Sequence, residues 1–577
     1  MKEWTSVSDI IYHVRTLTNP KALNEDKQGE WVSISSEEAL LKIEYLTLAF
    51  DELGIKKGDS VGIMSPPCIE WTLINMALLI KGAVVVPLFP NISEENFLFE
   101  IKETQTHLIF VKHHYPIPIL DSHGELFKKI VEMGQLDELY ERGKKLALET
   151  PKKFDELLQQ VKENDLCTII YTSATTGMPK GVMLTQRNLV GHLFDIPVVV
   201  DTNARYLNII PLAHIFGYTL NALLFGWGGG IYYSADPKNF VNDCKAVKPT
   251  LTAVVPRLLE KLRLGFVEKI NSAKGLKKII GSKALEVAYS KEPGWLYRAL
   301  FPIWDKLIYS KIRAALGDSF KMVISGGAPL DPRLNYFYQN LGIPVREGWG
   351  LTEACPVTVN SIEPGANKVG TVGPPFNGWK IRIGADGEVL VKGSGVMLGY
   401  HNNPELTAKA IDDDGWLHTG DKGTIDKDGY LTILGRIKEL YKTSTGEWVA
   451  PVPIEQMLCN SPFIEQAMVI AEGRKFASAL LFPNLEVLER LKKENNATHL
   501  SNDEFLNTPL IKQKVADHIE EINNHLNHWE QVHAFRFIAT PPSIEAGEMT
   551  PSMKLKREVV RNKYQHLIDA MYAEETV

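Results

Sequence analysis

Cysteine is scarce and scattered. Cys68, Cys167, Cys244, Cys355 and Cys459 show no paired spacing along 577 residues, which excludes a disulfide framework and a zinc knuckle and points to a reducing, cytoplasmic setting. Long apolar runs are missing as well. The most apolar stretch, around 76–89, is interrupted by Lys81 and ends in prolines, so it reads as buried helix, turn and strand rather than a bilayer span. The N-terminal MKEWTSVSDIIYHV lacks the basic start, apolar middle and small-residue cleavage site of a secretory leader, so secretion is not expected. Positive charge is not in excess: 63 Lys+Arg against 70 Asp+Glu leave −7, which argues against nucleic acid as a main partner. There is no internal repeat and no low-complexity tract.

What is present is rhythm. Residues 31–112 alternate helix-like stretches (EEALLKIEYLTLAFDELG) with short β-rich runs (SVGIMS, GAVVVPLF, LIFV), the pattern of parallel strands joined by helical crossovers. The pattern returns at CTIIYTS, YLNIIPL, LTAVVP and KMVISGG, each apolar run ending in small or polar residues where such sheets bind ligands. A Lys-rich, helix-patterned stretch over 256–320 breaks it, and 369–435, dense in Gly and Asp, reads as a small β-barrel or sheet. The composition shifts again at 436–438. The expected architecture is α/β: a large N-terminal domain of mixed and parallel sheets with helices over 1–435, including the β-rich subdomain 369–435, and a small α+β C-terminal domain over 436–577.

The most informative segment is residues 171–181, YTSATTGMPKG, which follows the apolar run CTII. Hydroxyl groups, free backbone N–H groups and a lysine in one loop suit phosphate oxygens. The spacing is not that of a nucleotide-hydrolase P-loop, because Lys180 precedes Gly181 rather than Ser or Thr. Six further segments follow in order: PLAHIFG at 211–217, SGGAPL at 325–330, GWGLTE at 348–353, DGWLHTGD at 414–421, GRIKE at 435–439 and PSMKLKR at 551–557. In these seven segments the chain resembles the adenylate-forming superfamily of acyl-CoA synthetases, luciferases and peptide-synthetase adenylation domains. The stretches around 256–331 and 432–455 look most like bacterial long-chain fatty acid–CoA ligases.

The resemblance implies a reaction in two steps: ATP and a fatty acid form acyl-AMP and diphosphate, then coenzyme A takes the acyl group and AMP leaves. It implies Mg²⁺ as cofactor, with ATP and coenzyme A as co-substrates. It also implies a mobile C-terminal domain that first delivers a lysine and then turns about a hinge. Two other outcomes fit the same motifs: transfer of the acyl group to a carrier protein, or an adenylate-binding protein disabled at Ala174, which stands where the family loop generally carries glycine. The absence of an insertion between Gly435 and Glu455 favours coenzyme A.

The site residues follow from the motifs. Carboxylate attack on the α-phosphate builds negative charge that a cation must offset, and the resemblance places Lys554 there, with Lys556 solvated. Glu353 and Thr175 are the expected magnesium ligands, since hard oxygens suit that ion. Thr172, Ser173, Thr175, Thr176, Gly177 and Lys180 are expected on the phosphates. Gly327, Ala328, Glu347, Gly348, Trp349, Gly350 and Thr352 are expected around the adenine, with the Trp349 ring stacked on it. Asp421 and Arg436 are expected on the ribose hydroxyls. His214 is the expected gate beside the acyl channel, although a lone histidine is also a common structural residue. Lys438 matches the hinge, and Lys442 with Gly446 the second step.

Charge is unevenly spread: residues 256–321 hold 14 Lys+Arg against 6 Asp+Glu. Within them Leu296, Leu300, Ile303 and Leu307 recur at helical spacing, flanked by Trp295, Tyr297, Phe301, Trp304 and Tyr309. Two readings stay open: a core-facing stripe with solvated lysines, or a helix in contact with the inner face of an anionic membrane.

Overall fold

The computed structural model describes residues 3–573 apart from 113–117, 173–177, 194, 198–199, 235, 292–293 and 364. Two large sheets with parallel centres form the body. The first runs, edge to edge, Gly399–Tyr400, Lys180–Thr185, Leu166–Thr172, Val84–Leu88, Ser60–Met64, Leu108–Val111 and Lys129–Glu132. The second runs Cys355–Val359, Val345–Leu351, Met322–Ser325, Leu251–Val254, Arg205–Asn208, Gly230–Tyr233, Leu23–Lys27 and Glu30–Ile34. Antiparallel strands close the ends that lie nearest the motifs, Lys180–Thr185 on Leu166–Thr172 and Cys355–Val359 on Val345–Leu351.

The apolar stretch near the N-terminus is the helix Ile69–Lys81 followed by the strand Val84–Leu88. Gly82, at φ +75, ends that helix in a left-handed cap, a conformation that costs glycine little. Lys81 lies in the last turn and pairs with Asp51 at 2.5 Å, so its charge complements the helix end and leaves the core dry. The helix is buried nearly all round, as is Ile215–Gly226. The two helices meet through a buried polar network. Asn221 Nδ2 donates to Thr72 Oγ1 at 3.0 Å, Tyr233 Oη donates to Asn221 Oδ1 at 2.9 Å and Tyr218 Oη donates to Asn75 Oδ1 at 2.5 Å. Fully paired groups of this kind specify one helix register at little net cost.

The β-rich segment after 369 is a four-stranded antiparallel sheet in the order Lys380–Ile383, Glu388–Lys392, Leu417–Ile425, Leu431–Arg436. Its two outer strands do not pair with each other, so it is an open sheet and not a closed barrel. After it come a short hairpin, Tyr441–Lys442 with Trp448–Val449, and a three-stranded sheet of Ile464–Ile470, Ala477–Pro483 and Val532–Phe537. With the helices Pro451–Leu458 and Pro509–Asn523 they bury a core of their own that includes Ile454, Leu458, Val469, Leu481, Val515 and Ile519. Arg557 forks onto both oxygens of Glu455 at 2.6 Å, fixing the final motif to this small sheet.

The basic stretch forms the helices Pro256–Asn271, Leu276–Ala288 and Trp295–Trp304, then a π-turn at Asp305–Tyr309 and the helix Ser310–Ala315. The expected single stripe does not survive. Pro302 lies inside the third helix and the π-turn adds a residue per turn, which rotates the apolar positions out of line. Trp304 and Tyr309 are buried in the core, Leu300 and Phe301 pack half-buried against it, and Ile303 and Leu307 point outward. The side chains of 295–298 lie outside the described ones.

Candidate active site

The strand Leu166–Thr172 delivers Thr172 opposite Lys180, the two being antiparallel partners at the mouth of the loop 173–177. Ser173, Ala174, Thr175, Thr176 and Gly177 fall outside the described residues. Lys180 is exposed, with its ammonium 5.3 Å from the centre of the Tyr400 ring. Tyr400 in turn donates to Glu353 Oε1 at 2.9 Å. Lys180 and Glu353 therefore share one aromatic neighbour, which the sequence reading did not single out. The only local signal was its place in the strand Gly399–Tyr400, which pairs with the strand that Lys180 begins.

A cavity opens beside these groups. It is lined by His214 and Phe216 from the helix Ile215–Gly226 and its cap, by Gly326 and Gly327, and by Gly348, Trp349 and Gly350. Apolar side chains, among them Ile196, Leu220, Ile324, Val359 and Phe376, continue it inward. Glycine is required at the bulge in this wall: a Cβ on Gly350 would lie 2.4 Å from the Cys355 carbonyl oxygen. Ala328 is exposed and Thr352 partly buried beside the same wall. His214 caps its helix by accepting from the Phe216 N–H at Nδ1, 3.2 Å away. Burial first, and the charge of Lys554 second, lower its pKa to about 4, so the ring is neutral at physiological pH.

Asp421 lies on the strand Leu417–Ile425, buried, with both oxygens engaged. Trp349 Nε1 donates to one at 2.9 Å, and Arg436 Nε forms an ion pair with the other at 2.8 Å. Arg436 also donates to the Thr419 carbonyl at 3.2 Å and remains half-exposed. The edge of the Trp349 indole is thus fixed while its face lines the cavity.

Lys554 completes the cluster from the far end of the chain. Its loop is tied by Thr550 N–H to the Lys554 carbonyl at 2.8 Å and by Lys554 N–H to Thr550 Oγ1 at 3.1 Å, with Met553 at φ +62 turning the chain between them. The ammonium forms no ion pair within 4 Å among the described residues. Its side chain opens on the cleft, yet the surrounding protein lowers its pKa; the positive charge of Arg436 acts in the same direction, against Glu439 and Asp421. Glu439 is a second group that motif reading left unassigned. Lys438 sits exposed in the short turn Ile437–Glu439, and Lys442 and Gly446 lie on the exposed hairpin beyond it.

The small part is held in this arrangement by the helix Pro256–Asn271. Arg257 donates to the Glu465 carbonyl at 2.8 Å, Lys261 pairs with the Glu465 carboxylate at 2.8 Å and Arg263 donates to the Asn460 carbonyl at 2.8 Å. Asn91 donates to the Pro551 carbonyl at 3.1 Å, beside the lysine loop.

Comparison with known proteins agrees along the whole chain. Residues 14–401 match the family described as AMP-binding enzyme, and residues 439–576 match the AMP-binding enzyme C-terminal domain. Long-chain-fatty-acid–CoA ligase FadD15 of Mycobacterium bovis is 33% identical over 566 residues, covering 95% of this chain and 93% of that protein. Fatty acyl-CoA synthetase A of Dictyostelium discoideum is 30% identical, with 96% and 87% covered. Among solved structures, the adenylation domain of a Mycobacterium chelonae carboxylate reductase superposes with a TM-score of 0.76 at 23% identity, covering 98% of this chain and 91% of that one, a likeness of fold.

Proposed function

This chain belongs to the AMP-binding enzyme family, and from that premise we propose that it is an AMP-forming long-chain fatty acid–CoA ligase. The fatty acid carboxylate attacks the α-phosphate of ATP, giving acyl-AMP and diphosphate; the thiol of coenzyme A then attacks the acyl carbon and AMP leaves. The named relatives, a long-chain-fatty-acid–CoA ligase and a fatty acyl-CoA synthetase, support that substrate class.

The observation that carries the reading is the state of Lys554. A lysine exposed to the cleft, beside the like charge of Arg436 and without an ion-pair partner among the described residues, gains most when an anion enters beside it. The two anions of the first step, carboxylate and α-phosphate, are such ligands. Neutral His214 stands beside it and adds no competing charge. Asp421 accepts from the ribose hydroxyls, and Arg436 steadies Asp421. Trp349 offers its face to the adenine, with Gly327, Ala328, Gly348, Gly350 and Thr352 shaping the surrounding wall. Thr172, Lys180 and the loop 173–177 hold the phosphates.

Glu353 suits magnesium, because a carboxylate that accepts one tyrosine hydroxyl keeps lone pairs for a hard cation, and an ion shared with ATP phosphates needs only one or two protein oxygens. Thr175 is the second ligand. Bound there with ATP, the ion would offset the charge of the phosphates.

The small domain, 436–577, moves between the steps. Lys438, exposed in a turn with few constraining contacts, is the hinge, and Lys442 and Gly446 serve the thioester state. The partners are fatty acid, ATP and coenzyme A. Peripheral contact with an anionic membrane at the cytoplasmic face rests on a surface other than the expected stripe. On the helix Leu276–Ala288, Leu276 and Ile279 are 75% and 66% exposed beside exposed Lys274, Lys277 and Lys278.

Fatty acid-dependent exchange of labelled diphosphate into ATP, followed by thioester formation across chain lengths, tests the function. Absence of exchange sinks adenylation, and exchange without thioester moves the acceptor from coenzyme A to a carrier protein.

A further inference from the structure

The nucleotide wall of the cavity is made largely of backbone. Gly326 and Gly327 on one side and Gly348 and Gly350 on the other carry no side chains that could pin them. Something behind the wall must set its shape. The residue behind it is Glu347, 6% exposed, on the strand Val345–Leu351 immediately before Gly348 and Trp349 and in parallel register with Ser325.

The Glu347 carboxylate faces away from the cavity and into the protein. Asn335 Nδ2, from the helix Pro332–Asn340, donates to Oε1 at 2.9 Å, and the backbone N–H groups of Leu330 and Gly370 face the same carboxylate. Asn335 is itself fully buried and held by Gln339, whose Nε2 donates to its Oδ1 at 2.7 Å. The Glu347 carbonyl accepts from Asn360 N–H at 2.9 Å, and Asn360 Nδ2 reaches the Thr371 carbonyl at 2.6 Å, so main chain and side chain bind the same neighbouring loop. No lysine or arginine pairs with Glu347 among the described residues. The nearest charge is Asp331, which is like-signed and bonded to Arg333 N–H at 2.8 Å.

The outer side of the same loop receives the small domain. Gln456 donates to the Pro329 carbonyl, and Asn460 Nδ2 to Asp331 Oδ2 at 3.3 Å. The loop 326–331 is therefore a thin partition. The nucleotide cavity lies on one face and the docked small domain on the other, with the Leu330 N–H facing Glu347 between them.

We propose that Glu347 is a positioning residue: its buried carboxylate, held by Asn335 and faced by the Leu330 and Gly370 N–H groups, sets the loop 326–331 against the strand that carries Trp349 and so shapes both the adenine wall and the small domain's landing surface. This departs from the expectation that Glu347 contacts the nucleotide itself, and it rests on the nucleotide reading above. An acceptor held only by neutral dipoles loses capacity when it is protonated, and burial, aided by Asp331, raises this carboxyl's pKa to about 7. The knot consequently slackens as pH falls through neutrality.

AMP binding by calorimetry, at pH 6 and pH 8, tests this without requiring turnover. Glu347→Gln keeps one acceptor oxygen but turns an NH₂ toward a donor. It is expected to weaken AMP binding about tenfold at pH 8, leave the fatty acid KM within about twofold, and leave melting temperature unchanged or raised because a buried charge is gone. The wild type should lose affinity between pH 8 and pH 6 relative to the variant, the titration of the AMP phosphate being common to both. Affinity and melting temperature falling together would mark a merely structural residue and overturn the proposal, as would AMP binding equal to wild type at both pH values. Should Glu347→Gln fail to fold, Asn335→Ala removes the side-chain donor to the carboxylate. A smaller loss of affinity, with its pH dependence displaced upward, is expected, and no change in either overturns the proposal. A wild-type chain that binds no AMP would sink the nucleotide reading and this proposal with it, whereas wild-type binding with an indifferent variant sinks this proposal alone.

Discussion

Asp421 and Arg436 are register partners on neighbouring antiparallel strands, and their side chains meet at 2.8 Å although one is buried and the other half-exposed. Burial pushes the Asp421 carboxyl up, while Arg436 and the Trp349 indole N–H pull it back down. An acid so placed is fixed from two sides and can still accept from ribose hydroxyls. Asp421→Asn is expected to weaken AMP binding by about 10- to 100-fold, the range of a charge-assisted hydrogen bond worth ~1.5–3 kcal/mol. Arg436 can hydrate, so melting temperature should change little. Unaltered affinity measured by calorimetry would remove Asp421 from the nucleotide site.

Lys554→Ala should cripple acyl-adenylate formation while thioester formation from supplied acyl-AMP survives, because the lysine serves only the docked arrangement of the small domain. Lys438→Pro, which fixes φ at the hinge, should do the reverse. Measuring the two half-reactions separately decides both. Equal loss of both steps in either variant contradicts the division of labour.

Charge reversal at Lys274, Lys277 and Lys278 should abolish salt-sensitive co-sedimentation with anionic vesicles, and Leu276→Ser should weaken it. Activity on soluble substrate should persist in both. These residues lie on or beside one exposed face and do not line the cavity. Indifference of vesicle binding to all four changes would leave the basic helices as a solvated surface.

His192 predicts part of the acid sensitivity. It is fully buried; its Nδ1–H donates to the Asn188 carbonyl at 2.9 Å and Nε2 has no partner among the described residues. Burial lowers its pKa from 6.5 to about 4. The unfolded chain then binds the extra proton first, so stability is lost as pH falls from 6.5 toward 4. For a shift of this size the loss is about 3 kcal/mol. Denaturant titrations of the wild type and His192→Asn at pH 7 and pH 4 should show a smaller drop in the variant; parallel drops would assign acid sensitivity elsewhere.

Much of this protein was legible before folding. The helix, turn and strand around 76–89, the strand that leads into the phosphate loop, and the ordered motifs depend on local geometry and on residue chemistry a few positions apart, which sequence spacing records. Of the stripe Leu296, Leu300, Ile303 and Leu307, Leu300 packs on the core while Ile303 and Leu307 face outward, because Pro302 and a π-turn alter the helical period that the spacing argument assumes. Tyr400 and Glu439 were missed because each acts only through neighbours distant in sequence. Glu347 was placed near the nucleotide by its motif, yet the direction of its carboxylate depends on Leu330, Asn335 and Gly370 arriving behind it. The amino-acid sequence by itself determined which functional groups exist and which local turns present them. Only the tertiary structure decided which groups meet: packing the small domain onto the helix Pro256–Asn271 brings Lys554, from the far end of the chain, within electrostatic reach of His214, Arg436 and Asp421, because contacts between residues so distant in sequence form only on folding.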